Sequence, residues 1–254
     1  MRPNTVKQLL CEGKPVIGTI FSIPSPTVVE VVALMGFDFA LLDGEHGSID
    51  ELLCEDLVRA AEATGLGTVV RVPRNERATI ARFLETGAQG VMVPWVNTAA
   101  EAKAAVDAVR YHPLGSRGLG PGRASSYGLE GNMGDYARQA NEQNLLVIQI
   151  EDIQAVSNLN AILGTPGIDV VMIGPSDLSK SMGLAGRADD PRVRDVIDEI
   201  SKKTLAAKLT LGMIASDGAG ARREIERGAR FVICGLTRIM VGAGRAFVQA
   251  AKQA

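Results

Sequence analysis

The sequence has few aromatic residues, little net charge and no long apolar run, and each shortage excludes a class of function. Aromatic side chains make up 4% of the 254 residues, which argues against a base-stacking platform for nucleic acid. The net charge of −2 at pH 7 gives no basic surface for nucleic acid or an anionic membrane. The first ten residues lack the apolar stretch of a signal peptide, and no later run could span a bilayer, so no membrane association is expected.

Cysteine and histidine are also scarce. The three cysteines, Cys11, Cys54 and Cys234, are odd in number and far apart, and they form no CxxC motif. This pattern favours structural thiols in a reducing compartment and predicts a cytoplasmic protein. His46, one of only two histidines, stands among acidic residues and glycines, where the backbone can turn sharply and approach a ligand.

The sequence does contain a regular alternation of short apolar runs and amphipathic segments. The apolar runs are too apolar for a sheet with one face in water, which favours parallel strands covered on both sides. They predict strands at 15–23, 37–43, 67–73, 90–96, 145–151, 169–174, 209–215 and 231–236. The intervening segments predict helices at 26–35, 50–64, 76–86, 98–110, 154–163, 191–207, 217–227 and 237–252.

Eight strand–helix units in a chain of this length predict an α/β fold, a TIM (β/α)8 barrel, for which ~250 residues is typical. We expect a single domain over residues 1–254. A doubly wound open sheet is the alternative, but no GxGxxG motif follows the first strand. The long irregular stretch at 111–135 is predicted to be a βα loop on the catalytic face, which folds over the site or reaches a neighbouring subunit.

Catalytic groups of such a barrel come from the carboxyl ends of its strands. The candidate residues at or just beyond those ends are as follows: Asp43, Glu45 and His46 for strand two, Arg71 for strand three, Gln149 and Glu151 for strand five, and Gly174, Pro175, Ser176 and Asp177 for strand six. The only tryptophan, Trp95, ends strand four and is interpreted as core or pocket wall.

Glu151 and Asp177 form a candidate metal site. Taken singly, Glu151 is typical of a rim salt bridge, and Asp177 of an ordinary helix start. As a pair from neighbouring strands, with no lysine between them, they repel each other unless a cation lies between them. Oxygen ligands favour Mg²⁺ or Mn²⁺, and two carboxylates leave positions open for water and a chelating substrate.

His46, Asp43 and Arg71 are candidate catalytic residues. Asp43 lies three residues before His46 and is expected to orient its ring and raise its basicity. Arg71 lies at a strand end, where a permanent charge is costly unless an anion binds there. The structural alternative for Arg71 is an internal ion pair with Glu45 or Glu85.

The positions of the lysines argue against a Schiff-base mechanism. Such a mechanism needs a lysine at a strand end that faces the barrel mouth. Only Lys180 lies near the predicted site, and it falls within the helix that Ser176 opens.

Several motifs together resemble the HpcH/HpaI family of class II pyruvate aldolases, and the likeness is clearest from Gly18 to Gly183. They are Asp43-Gly44-Glu45-His46-Gly47, Arg71-Val72-Pro73, Gly87-Ala88-Gln89-Gly90, Val93-Pro94, Arg110-Tyr111, Gln149-Ile150-Glu151 and Ile173-Gly174-Pro175-Ser176-Asp177-Leu178-Ser179.

The resemblance implies a TIM barrel that binds Mg²⁺, Mn²⁺ or Co²⁺ through Glu151 and Asp177, with no organic cofactor. Pyruvate would chelate the metal near Gln149, in a pocket shaped by residues 174–177. The resemblance also implies that His46 is the base, Asp43 its partner and Arg71 the residue that stabilises the enolate.

Three further expectations follow from the same resemblance. Glu85 occupies a position where relatives carry an aspartate that raises the basicity of the histidine. Ser176 matches the sugar-acid branch of the family, whereas the branch that degrades aromatic compounds tends to carry alanine. The family assembles as homohexamers with an exchanged C-terminal helix, here at about 237–252.

The resulting prediction is reversible cleavage of a 4-hydroxy-2-oxo acid, such as 2-dehydro-3-deoxyglucarate, to pyruvate and an aldehyde. One alternative is a 4-hydroxy-2-oxoheptanedioate-type aldolase, which yields pyruvate and succinic semialdehyde. Another is a malyl- or citramalyl-CoA-type lyase, although no basic cluster for CoA stands out. A catalytically silent scaffold would be expected to lose site residues, yet His46, Arg71, Glu151 and Asp177 are all present.

Overall fold

The computed structural model describes residues 1–253, and its eight parallel strands close into a barrel in chain order. The barrel closes where β8 pairs with β1, with Gly18 opposite Ile233. This confirms the predicted TIM (β/α)8 fold and excludes the open sheet. The strands are β1 (Val16–Phe21), β2 (Phe39–Asp43), β3 (Gly67–Arg71), β4 (Gly90–Val93), β5 (Leu145–Ile150), β6 (Val170–Ile173), β7 (Thr210–Ile214) and β8 (Phe231–Gly235).

The helices surround the barrel. They are α1 (Thr5–Cys11), α2 (Pro26–Leu34), α3 (Glu51–Thr64), α4 (Arg77–Glu85), α5 (Ala99–Val109), α6 (Met133–Gln143), α7 (Ile153–Ser157), α8 (Leu159–Leu163), α9 (Pro175–Ser181), α10 (Pro191–Ala206), α11 (Gly218–Glu226) and α12 (Leu236–Lys252). A 3₁₀ helix covers Arg123–Gly128. The helix predicted at 154–163 is divided into α7 and α8, and α1 and α6 were not predicted.

Side-chain oxygens at helix starts help to set where these helices begin. The Asp50 carboxylate accepts the Leu53 amide at 2.9 Å at the start of α3, and Asp217 accepts the Gly220 amide at 2.7 Å at the start of α11. Each bond satisfies an amide that has no partner within its helix. Both aspartates therefore cap helices close to the starts predicted at residues 50 and 217.

The barrel interior is filled by tightly packed side chains. The rings of Phe39 and Phe231 stack with their centroids 4.6 Å apart. Gly18 leaves room for them, because a Cβ at this position would lie 2.3 Å from the Phe39 ring. Val6 of α1 packs into the same interior cluster and covers the N-terminal end of the barrel. A second, larger core lies between the outer face of the strands and the helices.

The irregular stretch at 111–135 follows helix α5, not a strand. It therefore lies where helices return to the N-terminal ends of the strands, opposite the end at which β5 and β6 deliver their polar residues. Buried Arg117 fixes it there, because its guanidinium pairs with Glu85 at 2.6 Å and lies over the Tyr111 ring. The prediction that 111–135 is a βα loop on the catalytic face is wrong.

Helix α12 lies largely uncovered. Leu236 is its only buried residue among those described. Its exposed apolar side chains are Ile239, Met240, Val241, Phe247 and Val248. Within residues 1–253, no helix combines the length and the apolar character needed to cross a membrane.

Candidate active site

Strand alternation brings polar side chains into the mouth of the barrel. Leu41, Val69 and Val147 fill the barrel interior, and the residues two positions further along their strands point the same way. Those residues are Asp43, Arg71 and Gln149. Asp43 and Arg71 are also register partners on β2 and β3. The mouth is therefore lined by charged and amide groups where the apolar interior ends.

Arg71 is held by two carboxylates. Its Nε and Nη2 donate to the two oxygens of Asp43 at 2.9 and 2.7 Å, and its Nη1 lies 3.2 Å from Glu45 Oε2. Burial alone would raise the pKa of Asp43, but the bonds and charge of Arg71 outweigh it and lower that pKa. The Arg71–Glu45 pair confirms part of the structural alternative for Arg71, whereas Arg71 forms no pair with Glu85.

His46 lies at the rim, with its side chain 62% exposed. Its Nε2 is 3.9 Å from Glu45 Oε2, and Asp43 accepts the backbone amide of His46 at 3.1 Å. Asp43 also accepts the Glu45 amide at 3.2 Å. In this chain Asp43 therefore positions the turn that carries the histidine, and the carboxylate beside the ring is that of Glu45. The expected contact between Asp43 and the imidazole is not present.

Glu151 is the most deeply buried carboxylate of the site, at 1% exposure. Its Oε1 accepts the backbone amide of Trp95 at 2.9 Å, and its Oε2 accepts the side-chain amide of Gln149. Among the described residues it has no salt bridge, so the rim-pair interpretation is wrong. Burial, together with the charges of Glu45 and Asp177, raises the pKa of Glu151 to about 7, although the Trp95 amide and Arg71 act in the opposite direction.

The residues from Gly174 to Asp177 form the start of α9 beside Glu151. Gly174 is the N-cap and Pro175 the first helical residue. A Cβ on Gly174 would lie 2.7 Å from Glu151 Oε2, so the absence of a side chain there leaves space for that carboxylate. Asp177 lies half-buried in the first turn and is not the cap. The side chain of Asp177 does not cap α9, but its place in the first turn is consistent with the ordinary helix start predicted from the sequence, and Ser176 is exposed.

The oxygen atoms at the mouth suit a hard divalent cation. Among residues 1–253, no group of three or more His, Cys, Asp or Glu side chains is arranged so that it could coordinate a metal ion by itself. Glu151 and Asp177 are nevertheless close enough for their charges to interact, and Gln149 Oε1 is buried without a hydrogen-bond partner. Mg²⁺ is commonly held by one or two carboxylates and keeps several waters. This donor set fits such an ion.

Glu85 is not part of this group. It is the last residue of α4, whose C-terminal end lies at the N-terminal end of the barrel. Its carboxylate pairs with Arg117, and its side chain borders Gly122 of the 111–135 stretch. Within one chain, Glu85 therefore lies at the opposite end of the barrel from His46.

The structure adds Trp95 to the site. Its backbone amide binds Glu151, and its indole Nε1 donates to Glu45 Oε1 at 3.0 Å. The position of Trp95 at a strand end was the only signal in the sequence, and it could not show which groups the residue contacts.

Comparisons with known proteins identify a family model, curated relatives and solved structures that match this chain. Residues 20–241 match the family model described as HpcH/HpaI aldolase/citrate lyase. The chain is 36% identical over 247 residues to a 5-keto-4-deoxy-D-glucarate aldolase of Salmonella paratyphi C, covering 97% of this chain and 94% of the relative.

Two solved structures share the whole architecture. An HpcH/HpaI aldolase/citrate lyase family protein from Burkholderia cenocepacia superimposes with a TM-score of 0.93 at 31% identity, covering 98% of this chain and 100% of the other. An HpcH/HpaI aldolase from Desulfitobacterium hafniense gives a TM-score of 0.91 at 29% identity, with coverages of 98% and 96%.

Proposed function

The chain belongs to the HpcH/HpaI aldolase/citrate lyase family, and we propose that it is a metal-dependent aldolase acting on 2-keto-3-deoxy sugar acids. The substrate class is supported by the relative that acts on 5-keto-4-deoxy-D-glucarate. Counted from its other carboxyl group, that six-carbon diacid is a 2-keto-3-deoxy acid. The observation that carries the proposal is the meeting of buried Glu151 with Asp177, Arg71 and the rim residue His46 at one barrel mouth.

Glu151 and Asp177 are the residues proposed to hold the metal ion, which would be Mg²⁺, Mn²⁺ or Co²⁺. When bound, this ion would supply Lewis-acid stabilisation to the 2-oxo and carboxylate oxygens of the substrate. Two further residues border the same space: Gln149, whose side-chain oxygen has no hydrogen-bond partner, and Gly174. Together with Pro175 and Ser176, they are proposed to shape the pocket for pyruvate.

His46 is proposed to move the proton. Its imidazole accepts the proton of the C4 hydroxyl, the C3–C4 bond breaks, and C4 leaves as the aldehyde. The electron pair of the broken bond passes into the enolate of pyruvate. Protonation of C3 then yields pyruvate. The exposure of the His46 ring at the rim is compatible with a substrate that enters from solvent.

Arg71 is proposed to stabilise the enolate oxygen. Its guanidinium is buried and keeps its charge, because Asp43 and Glu45 more than offset the burial that would lower its pKa. Its bonds to Asp43 hold it in one orientation before substrate arrives, which is the condition for electrostatic stabilisation of a transition state.

We also propose that the chain works as one domain in a homohexamer in the cytoplasm. The uncovered apolar side chains of α12 support packing against another copy, with the helix exchanged between subunits. The three cysteines are free, as expected in a reducing compartment.

The proposal is tested by measuring pyruvate release from 2-dehydro-3-deoxyglucarate, coupled to lactate dehydrogenase. EDTA-treated protein should be inactive and should recover when Mg²⁺, Mn²⁺ or Co²⁺ is returned. A parallel panel of 4-hydroxy-2-oxoheptanedioate and citramalyl-CoA, which would yield pyruvate together with succinic semialdehyde or acetyl-CoA, distinguishes the alternative substrate classes. No pyruvate from any 2-oxo acid with the metal-replete protein, or full activity of Glu151→Ala, would contradict the proposal.

A further inference from the structure

Trp95 has a backbone conformation that a large side chain rarely adopts. Its φ is +54°, in the left-handed region that is costly for residues other than glycine. Such a conformation persists only where the surrounding structure enforces it, and residues of this kind cluster at functional sites. The residue lies between β4 and α5, at the barrel mouth, and is 39% exposed. Packing of a buried ring is therefore not a sufficient reason for its strained backbone.

The chain on the C-terminal side of Trp95 is tied down at successive residues. The Val96 amide donates to Gln149 O at 3.3 Å, the Asn97 amide donates to Glu101 Oε2 at 2.7 Å, and Asn97 O accepts the Asn158 side chain at 2.9 Å. These bonds leave little freedom for the backbone at position 95. They explain how the strain is maintained.

The result of this geometry is that Trp95 contacts two acidic residues at once. Its backbone N–H binds Glu151 Oε1 at 2.9 Å, and its indole N–H binds Glu45 Oε1 at 3.0 Å. The other oxygen of Glu45 is buried without a hydrogen bond, 3.2 Å from Arg71 Nη1 and 3.9 Å from His46 Nε2. The direction in which that oxygen points therefore depends on where the first oxygen is anchored.

We propose that Trp95 is a positioning residue, whose indole anchors Glu45 Oε1 so that Glu45 Oε2 faces Arg71 and His46. This inference rests on the proposed function, because Arg71 and His46 matter only if they carry the chemistry. Without the anchor, Glu45 can turn toward solvent, and the guanidinium and imidazole lose the carboxylate between them. The backbone N–H of Trp95 separately orients Glu151, and that contact does not need the indole.

The two contacts can be separated by substitution. Trp95→Phe keeps an aromatic ring and the backbone N–H but removes the indole donor. Its kcat should fall by about tenfold, which is the scale of losing a hydrogen bond to a charged group, whereas its Kd for Mn²⁺ should stay within about twofold of the wild-type value. Tyr127→Phe is the matched control, since Tyr127 is an exposed aromatic with φ of +56° on the opposite barrel face.

A double-mutant cycle tests whether Trp95 acts through Glu45. The losses of kcat in Trp95→Phe and Glu45→Leu should not multiply in the double variant, and a coupling of about fivefold is expected for residues in direct contact. Independent, multiplying effects would overturn the inference. A simultaneous collapse of Mn²⁺ binding in Trp95→Phe would also overturn it, because the indole would then serve general structure.

A spectroscopic measurement tests the contact between the Trp95 indole and Glu45 independently of enzyme activity. Trp95 is the only tryptophan, so intrinsic fluorescence reports on this residue alone. Glu45→Leu should increase acrylamide quenching of the indole, whereas Glu199→Leu, at an exposed position of α10, should not. Equal quenching in wild type and Glu45→Leu would refute the anchor. If the wild-type protein released no pyruvate, the proposed function would fail, while quenching would still decide whether Glu45 holds the indole.

Discussion

Replacing Glu151 with glutamine should stabilise the metal-free protein at alkaline pH while removing its activity. Glu151 is buried beside Glu45 and Asp177, which raises its pKa from 4.5 to about 7. Since the folded-state pKa lies above the unfolded one, ionisation opposes folding. The penalty is absent below pH 4.5, grows as the pH rises toward 7 and is complete above it. At ~1.4 kcal/mol per pKa unit, the full penalty is on the order of 3 kcal/mol.

The assay is urea unfolding followed by circular dichroism, in EDTA, at pH 5 and pH 8. The free energy of unfolding of Glu151→Gln should exceed that of wild type at pH 8 by about 1–3 kcal/mol, and by less than about 1 kcal/mol at pH 5. Glu199→Gln is the control and should show no such pH dependence, because Glu199 is exposed on α10, where its carboxylate pairs with Lys203. A difference that is the same at both pH values would refute the reasoning, as would a wild type that is the more stable form at pH 8.

Three further predictions concern the catalytic residues and the C-terminal helix. His46→Ala should lower pyruvate release by about 10²–10⁴-fold and leave Mn²⁺ binding intact, and unchanged turnover would contradict its role as the base. Arg71→Met should lower the free energy of unfolding by about 3–5 kcal/mol, because Asp43 would keep a buried charge without a partner. Arg71→Lys should recover only part of that stability, since lysine lacks the forked geometry; wild-type stability in Arg71→Lys would argue against the bidentate pair. Deletion of residues 237–253 should reduce the mass measured by light scattering, and an unchanged oligomer would show that α12 is not the contact between copies.

The barrel itself was predictable from the sequence. Eight runs are too apolar to form a sheet with one face in water, and amphipathic segments separate them. Few folds other than a parallel barrel covered by helices accommodate this pattern. Gln149 was predicted at a strand end, and the structure places it in line with the barrel interior. Local patterns therefore established both the fold and the end of the barrel at which polar residues meet.

One error came from losing the direction of the chain. The glycine-rich 111–135 stretch follows the helix predicted at 98–110, and a helix in this fold carries the chain back to the N-terminal end of the barrel. Counting strand and helix ends in order would have placed this stretch correctly. Glu85, at the end of α4, lies away from His46 within one chain, and its role stays an expectation from the resemblance.

Other features could not be predicted from local pattern. The contact between Glu45 and the His46 ring, and the two bonds of Trp95, depend on loop conformations held by long-range hydrogen bonds. The strained φ of Trp95 is a product of those bonds and not of its own preference. Active-site loops are where local rules fail most often, because their geometry is stabilised by the rest of the molecule.

The central claim is that Glu151 and Asp177 together hold one divalent ion at the barrel mouth. Electron paramagnetic resonance of added Mn²⁺ measures free ion directly and so counts the ions bound per chain. Wild type should bind one Mn²⁺, Glu151→Gln and Asp177→Asn should each weaken that binding by about 10²-fold or more, and Glu85→Gln, at the other end of the barrel, should leave it unchanged. Wild-type affinity in either Glu151→Gln or Asp177→Asn would contradict the account.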